Sequence, residues 1–112
     1  MSDADVNRKL FVMAVCKDKS GPEAQAAREE HMLGHLDHVE SILEHILVAG
    51  PVFDDDGKTL IGSTLIYKTE DKEQARKWLE ADPYFKAPIW ESVEFHLFRG
   101  ALGEAVGGVT YR

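Results

Sequence analysis

The chain has 112 residues, 44% of them hydrophobic, which suits one domain built on a single core. Its formal charge of −7 argues against the basic patch with which nucleic-acid or anionic-membrane recognition begins, and no apolar run approaches the roughly 18 residues of a membrane-spanning helix. A single cysteine, Cys16, excludes an intrachain disulfide framework and fits a reducing cytoplasm, and the polar, acidic start MSDADVNRK carries no secretory pattern.

The expected organisation is one domain over 1–112, with a polar extension at 1–8, a core over about 9–98 and a glycine-rich tail at 99–112. Lys9 to Cys16, KLFVMAVC, is a nearly continuous apolar run and predicts a central strand buried on both faces. After the polar connection Lys17 to Gly21, a helix starts with Ser20 or Gly21 as N-cap, Pro22 in the first turn and Glu23 near the positive end of its dipole. Farther along, at about 100° per residue, Met32, Leu36, Val39, Leu43 and Ile46 share an apolar face that must pack on another element, expected to be a sheet. Glu30, Asp37, Ser41 and Glu44 lie opposite. His31, His35, His38 and His45 fall within an arc of about 80° at the edge of the apolar face, where a side chain is half buried. The run Ile46 to Ala49, closed by Gly50-Pro51, reads as a buried strand, with the switch from helix near His45.

Asp54-Asp55-Asp56-Gly57 predicts a hairpin turn; it lacks the spaced ligands and distal glutamate of a calcium loop. The following strand, Leu60 to Lys68, contains Gly62-Ser63, and a glycine inside a strand marks a bulge or a close approach. Thr69 or Asp71 caps a second helix over 71–80, with Ala75, Trp78 and Leu79 on one face, and Asp82-Pro83 ends it. A turn through DPYFKAP then leads to the last core strand, Ile89 to Phe98, where Val93, Phe95 and Leu97 alternate with Glu94, His96 and Phe98. Strand, helix, strand, strand, helix, strand is the ferredoxin-like βαββαβ arrangement of the α+β class, with both helices on one sheet face. The other face is left for a second copy, so a homodimer, or a higher assembly of dimers, is expected. In the tail, Val109 to Tyr111 could add an edge strand or lie on a partner subunit.

The ordered set Arg28-x-x-His31, Ala49-Gly50-Pro51, Gly62-Ser63, Ala81-Asp82-Pro83-Tyr84 and Trp90-Glu91 resembles the YciI-like family over about residues 9 to 98. The resemblance implies a dimeric α/β barrel of ferredoxin-like subunits and an active-site His–Asp pair. Residue by residue it points to His31 and Asp82, with His31 chosen over His35 because Arg28 stands three residues before it. The spacing from His31 to Gly50 is slightly long for the family. Some members, and members of the wider dimeric-barrel group, are implicated in lyase, dehalogenation or isomerase steps on ring compounds.

A carboxylate bonded to one imidazole nitrogen fixes the tautomer and makes the other nitrogen a proton acceptor, which suits proton abstraction beside a carbonyl, isomerisation or elimination. The expected ligand is a small molecule. Arg28 and Ser63 are candidates to bind its oxygens, and Pro51 and Tyr84 to line its pocket. Neither a cofactor nor a metal is called for. Two readings compete with an enzyme: a non-catalytic small-molecule binding or regulatory module, and a metal site on the histidine stripe, which lacks a His-Glu-x-x-His motif and further ligands. Asp82 before a proline could also be no more than a turn cap.

Overall fold

A computed structural model describes residues 9–87 and 89–111, so the polar extension at 1–8 lies outside the described residues. The core elements follow the expected order. They are β1 (Phe11–Asp18), α1 (Pro22–Ser41), β2 (Ile46–Phe53), β3 (Leu60–Tyr67), α2 (Lys72–Glu80), a short α3 (Pro83–Lys86) and β4 (Trp90–Phe98). The strands form one antiparallel sheet in the order β2-β3-β1-β4, the ferredoxin-like topology.

Residues paired across a ladder point to the same side of a sheet. Pro51, Ser63, Cys16 and Val93 therefore form one row on the helix side, and Ala49, Leu65, Ala14 and Phe95 the next. Along β1, Val12, Ala14, Cys16 and Asp18 are buried under the helices, whereas Phe11, Met13 and Val15 on the other face are only partly covered. Within one chain the burial of β1 thus alternates with period 2, because the helices cover only one side of the sheet and the other side is the one expected to meet a second copy. The core gathers Val12, Ala14, Leu65, Tyr67, Ala75 and Leu79, with Trp78, Val93 and Phe95 packed against it.

Helix α1 starts after Gly21, which has φ +103°, with Pro22 in its first turn. It ends at Ser41, and a 3-10 turn at Leu43–His45 leads directly into β2, as the switch near His45 required. Two expectations fail here. Strand β2 is an edge strand and mostly exposed, because only β3 pairs with it. The apolar face of α1 does not lie flat on the sheet either: Met32 and Leu36 remain 48% and 43% exposed, and a cavity separates them from β2 and β3. Asp71 caps α2 by accepting the Glu73 N–H at 2.9 Å. The tail forms its own two-stranded ladder, β5 (Leu102–Gly103) with β6 (Gly108–Val109), and among the described residues it adds no edge to the main sheet.

Candidate active site

The DPYFKAP segment expected as a turn contains the helix α3, and Asp82 is its N-cap. Asp82 Oδ1 accepts the Tyr84 N–H at 2.9 Å, while Oδ2 lies 2.7 Å from His35 Nδ1. The capping role and the pairing role are therefore both filled, one by each oxygen. With Asp82 only 1% exposed, its carboxylate keeps two strong partners in place of water. The proton on this bond belongs to Nδ1 when the imidazole is neutral, which leaves Nε2 bare.

The histidine in the pair is His35, which corrects the expected His31. His31 sits one turn earlier, has a 38% exposed side chain, and lies 3.8 Å from Glu30. The reason is where α1 meets α3. Gly34 is the point of close approach, since a Cβ there would stand 3.2 Å from Pro83 Cγ, and the next residue, His35, thereby comes over Asp82. Its ring stacks on Tyr84, with centroids 4.0 Å apart and planes within 3°, and Trp90 meets Tyr84 edge-on at 6.2 Å. His38 and His45 both meet Trp78 instead: His38 Nε2 lies 2.8 Å from Trp78 O, and His45 stacks on the Trp78 ring at 4.8 Å. Among the described residues no group of three His, Cys, Asp or Glu side chains is placed to hold a metal ion.

His35 lines a cavity of about 300 Å³ between α1 and the β2-β3 hairpin. Its polar wall is His35, Ser63, Arg28 and Tyr84; the rest is apolar, with Met32, Leu36 and Val39 from α1 facing Pro51, Leu60 and Leu65 among others from the sheet. Arg28, Ser63, Pro51 and Tyr84 thus meet around one space, and His31 is not in its lining.

Arg28 is bound by a residue that the sequence reading missed, Asp18. Nε donates to Asp18 Oδ2 at 2.7 Å and Nη2 to Oδ1 at 2.9 Å, a two-pronged pair with both side chains at or below 5% exposure. Nη2 also donates to Gly62 O at 2.9 Å and to Ser63 Oγ at 3.1 Å. Burial opposes the Arg28 charge, but the hydrogen bond and charge of Asp18 outweigh it and hold the pKa above its ordinary value. Gly62 is a close approach, as its place in a strand suggested, since a Cβ there would lie 2.5 Å from Cys16 O. Beneath the site, burial and then the charges of Asp82 and Asp18 push the Cys16 thiol up to about 12, so it is not a nucleophile near neutral pH. The Tyr84 hydroxyl donates to Arg28 O at 3.2 Å and is also shifted upward, chiefly by burial.

The YCII-related domain matches residues 10–99. The chain belongs to that family. Among solved structures it is similar to 5-chloro-2-hydroxyhydroquinone dehydrochlorinase (TftG) from Burkholderia phenoliruptrix AC1100, in complex with 2,5-dihydroxybenzoquinone: identity is 27%, the TM-score 0.68, and 85% of this chain and 96% of that one are covered. An uncharacterized NIPSNAP domain protein from Burkholderia xenovorans matches at 19% identity and a TM-score of 0.46, over 80% of this chain and 91% of that one. None of the curated proteins matches the chain. No helix among the described residues is long and apolar enough to cross a membrane.

Proposed function

We propose that this YCII-related protein is a small-molecule enzyme in which His35 and Asp82 act as a general acid–base pair in an elimination of the dehalogenation type, or in a related lyase or isomerase step, on a substrate that carries a ring. The observation that carries this reading is the 2.7 Å bond from His35 Nδ1 to the buried Asp82 carboxylate at the wall of the cavity. It leaves Nε2 free to take a proton, and Asp82 to stabilise the imidazolium that results. In an elimination the substrate C–H or O–H proton goes to Nε2, its bonding pair forms the new π bond, and the halide leaves a tetrahedral carbon with the electrons of its own bond; a halogenated hydroxyquinol reaches that form by first moving one hydroxyl proton to the carbon that bears the halogen. One proton and one halide ion are lost, with no change of cofactor. The likeness to a dehydrochlorinase supports this class.

The half-covered face of Met13, Val15, Ile66 and Val48, opposite the helices, supports association into a homodimer, which sedimentation at micromolar concentration tests. A cytoplasmic location remains the reading from the lone cysteine.

Halide release from a panel of halogenated hydroxyquinols tests the chemistry. Asp82→Asn gives a specific expectation. Tyr84 N–H holds the side-chain oxygen of residue 82, so the new amide turns its NH₂ toward His35 Nδ1 and drives the imidazole proton onto Nε2. The rate should fall by about 10²–10⁴, while ¹⁵N shifts report the tautomer change at His35 and none at His31. Binding without release of halide from any compound would favour the non-catalytic module.

A further inference from the structure

We propose that the end of the cavity beyond His35 is a binding site for an apolar alkyl or aryl group, so that the substrate is a ring with polar groups on one edge and an apolar substituent on the opposite edge. Which end holds the reacting ring rests on the acid–base reading above. Helix α1 and strand β3 run in the same direction, since Arg28 meets Ser63 at one end and Lys68 N–H donates to His45 O at the other. Along α1, Arg28, His35 and Val39 fall within about 40° of one another, and Val39 stands about 6 Å farther along the axis than His35. Along the sheet, the row of Ala49 and Leu65 stands about 7 Å beyond the row of Pro51 and Ser63. Both walls therefore change character at one level. Up to His35 they offer Arg28, Ser63 and Tyr84; past it, Leu36, Val39, Ala49 and Leu65 offer no hydrogen-bonding side-chain atom.

The apolar end does not close on itself, because three contacts hold this half of α1 sideways: Gly34 on Pro83, His35 on Asp82, and His38 Nε2 at 2.8 Å from Trp78 O. Ala49 keeps the space free. It is a small residue on the exposed edge strand β2, and its Cβ stands on the same side of the sheet as the Leu65 side chain. A ligand confined to the polar end leaves these walls against water, whereas one that reaches them gains about threefold to fourfold in affinity for each methylene it buries. A propyl or butyl group, or a second ring, spans the step from the Ser63 row to the Leu65 row; a halogen or a methyl group does not.

The test is calorimetric titration of the full chain with phenol, 4-methylphenol, 4-propylphenol and 4-butylphenol. Affinity should rise about threefold to fourfold per added carbon as far as the propyl compound, and by at least about thirtyfold over the series. Ala49→Leu fills the far end from an exposed edge position and should cut the ratio between 4-butylphenol and phenol to below about threefold. Val39→Thr, of nearly the same shape but polar, should lower that ratio about fivefold, while Leu33→Lys, outside the lining, should keep it. A gain that ends at 4-methylphenol, or an unchanged ratio in Ala49→Leu, would overturn the proposal. Should Ala49→Leu fail to fold, an unchanged ratio in Val39→Thr overturns it as well. These phenols carry no halide, so the two readings fail separately. Halide release from hydroxyquinols without the alkyl gain would sink this inference alone, and the alkyl gain without halide release would count against the enzymatic reading alone.

Discussion

The two halves of α1 do different work. The N-terminal half is fastened to the sheet: Ala24, Ala27 and Arg28 are buried, Gln25 donates to Leu60 O at 2.9 Å, and Arg28 reaches Asp18 at the end of β1. The C-terminal half leans sideways instead, with Gly34 on Pro83, His35 on Asp82 and Tyr84, and His38 on Trp78 O. Its apolar side chains consequently span a gap above β2 and β3. One helix thus supplies both a rigid anchor and the roof of a cavity, and the comparison predicts that stability resides before Met32 and ligand selection after it.

The largest effect should come from the anchor. Arg28→Ala leaves Asp18 buried without its cation, which costs about 3–5 kcal/mol, read as a lower urea midpoint. Replacing both partners by apolar residues of similar volume should cost much less, since neither charge is then stranded. Next comes alkaline pH, acting on the floor beneath the anchor. Burial raises Cys16 from an ordinary value of 9.0 to about 12 and moves Tyr67 and Tyr84 upward as well. Above pH 9 the unfolded chain releases these protons while the folded chain retains them, so stability should fall as pH rises from about 9 to 12. The drop should be on the order of a few kcal/mol. Iodoacetamide should leave Cys16 unmodified at pH 8 until the chain is unfolded; labelling of the native protein would show that the floor is open.

Why the topology was legible and the pairing was not follows from range. Strand and helix periods are local, so the βαββαβ order, the Asp71 cap and the break near His45 could be read from neighbouring residues. The choice between His31 and His35 depends on how α1 meets α3, a contact 47 residues away in sequence. Two local signals pointed to it. Gly34 interrupts a helix at a cost of about 1 kcal/mol relative to alanine, which a close approach explains, and the long spacing from His31 to Gly50 shortens when counted from His35. Asp18 was legible too: extending the alternation Val12, Ala14, Cys16 by two residues puts it on the buried face, where a carboxylate requires a cation. The exposure of β2 follows from its edge position, which the apolar run Ile46 to Ala49 does not encode.

Gly34→Ala is the next step down in size. Alanine gains about 1 kcal/mol of helix propensity, while its Cβ, at 3.2 Å from Pro83 Cγ, forces α1 and α3 apart by a few tenths of an ångström. Net stability should stay within about 1 kcal/mol of wild type. Halide release should fall far more than that, because the His35 to Asp82 bond is what the separation stretches. Equal losses in stability and rate would mean that the contact is only structural.

The smallest effect belongs to the roof. Leu33 is 72% exposed and outside the cavity lining, so Leu33→Lys exchanges one good helix former for another and should change unfolding free energy by no more than about 0.5 kcal/mol. Leu36→Lys, three residues on and in the lining, removes more apolar contact but should still cost less than Arg28→Ala, since Leu36 is already 43% exposed. Its consequence should appear in binding. A lysine there adds a cation that is not committed to Asp18, as Arg28 is, so benzoate affinity should rise while Leu33→Lys leaves it unchanged. Calorimetric titration of benzoate into the two variants separates the outcomes. If Leu33→Lys unfolds the protein, the outer side of the C-terminal half is packed rather than open, and the division of α1 into anchor and roof fails.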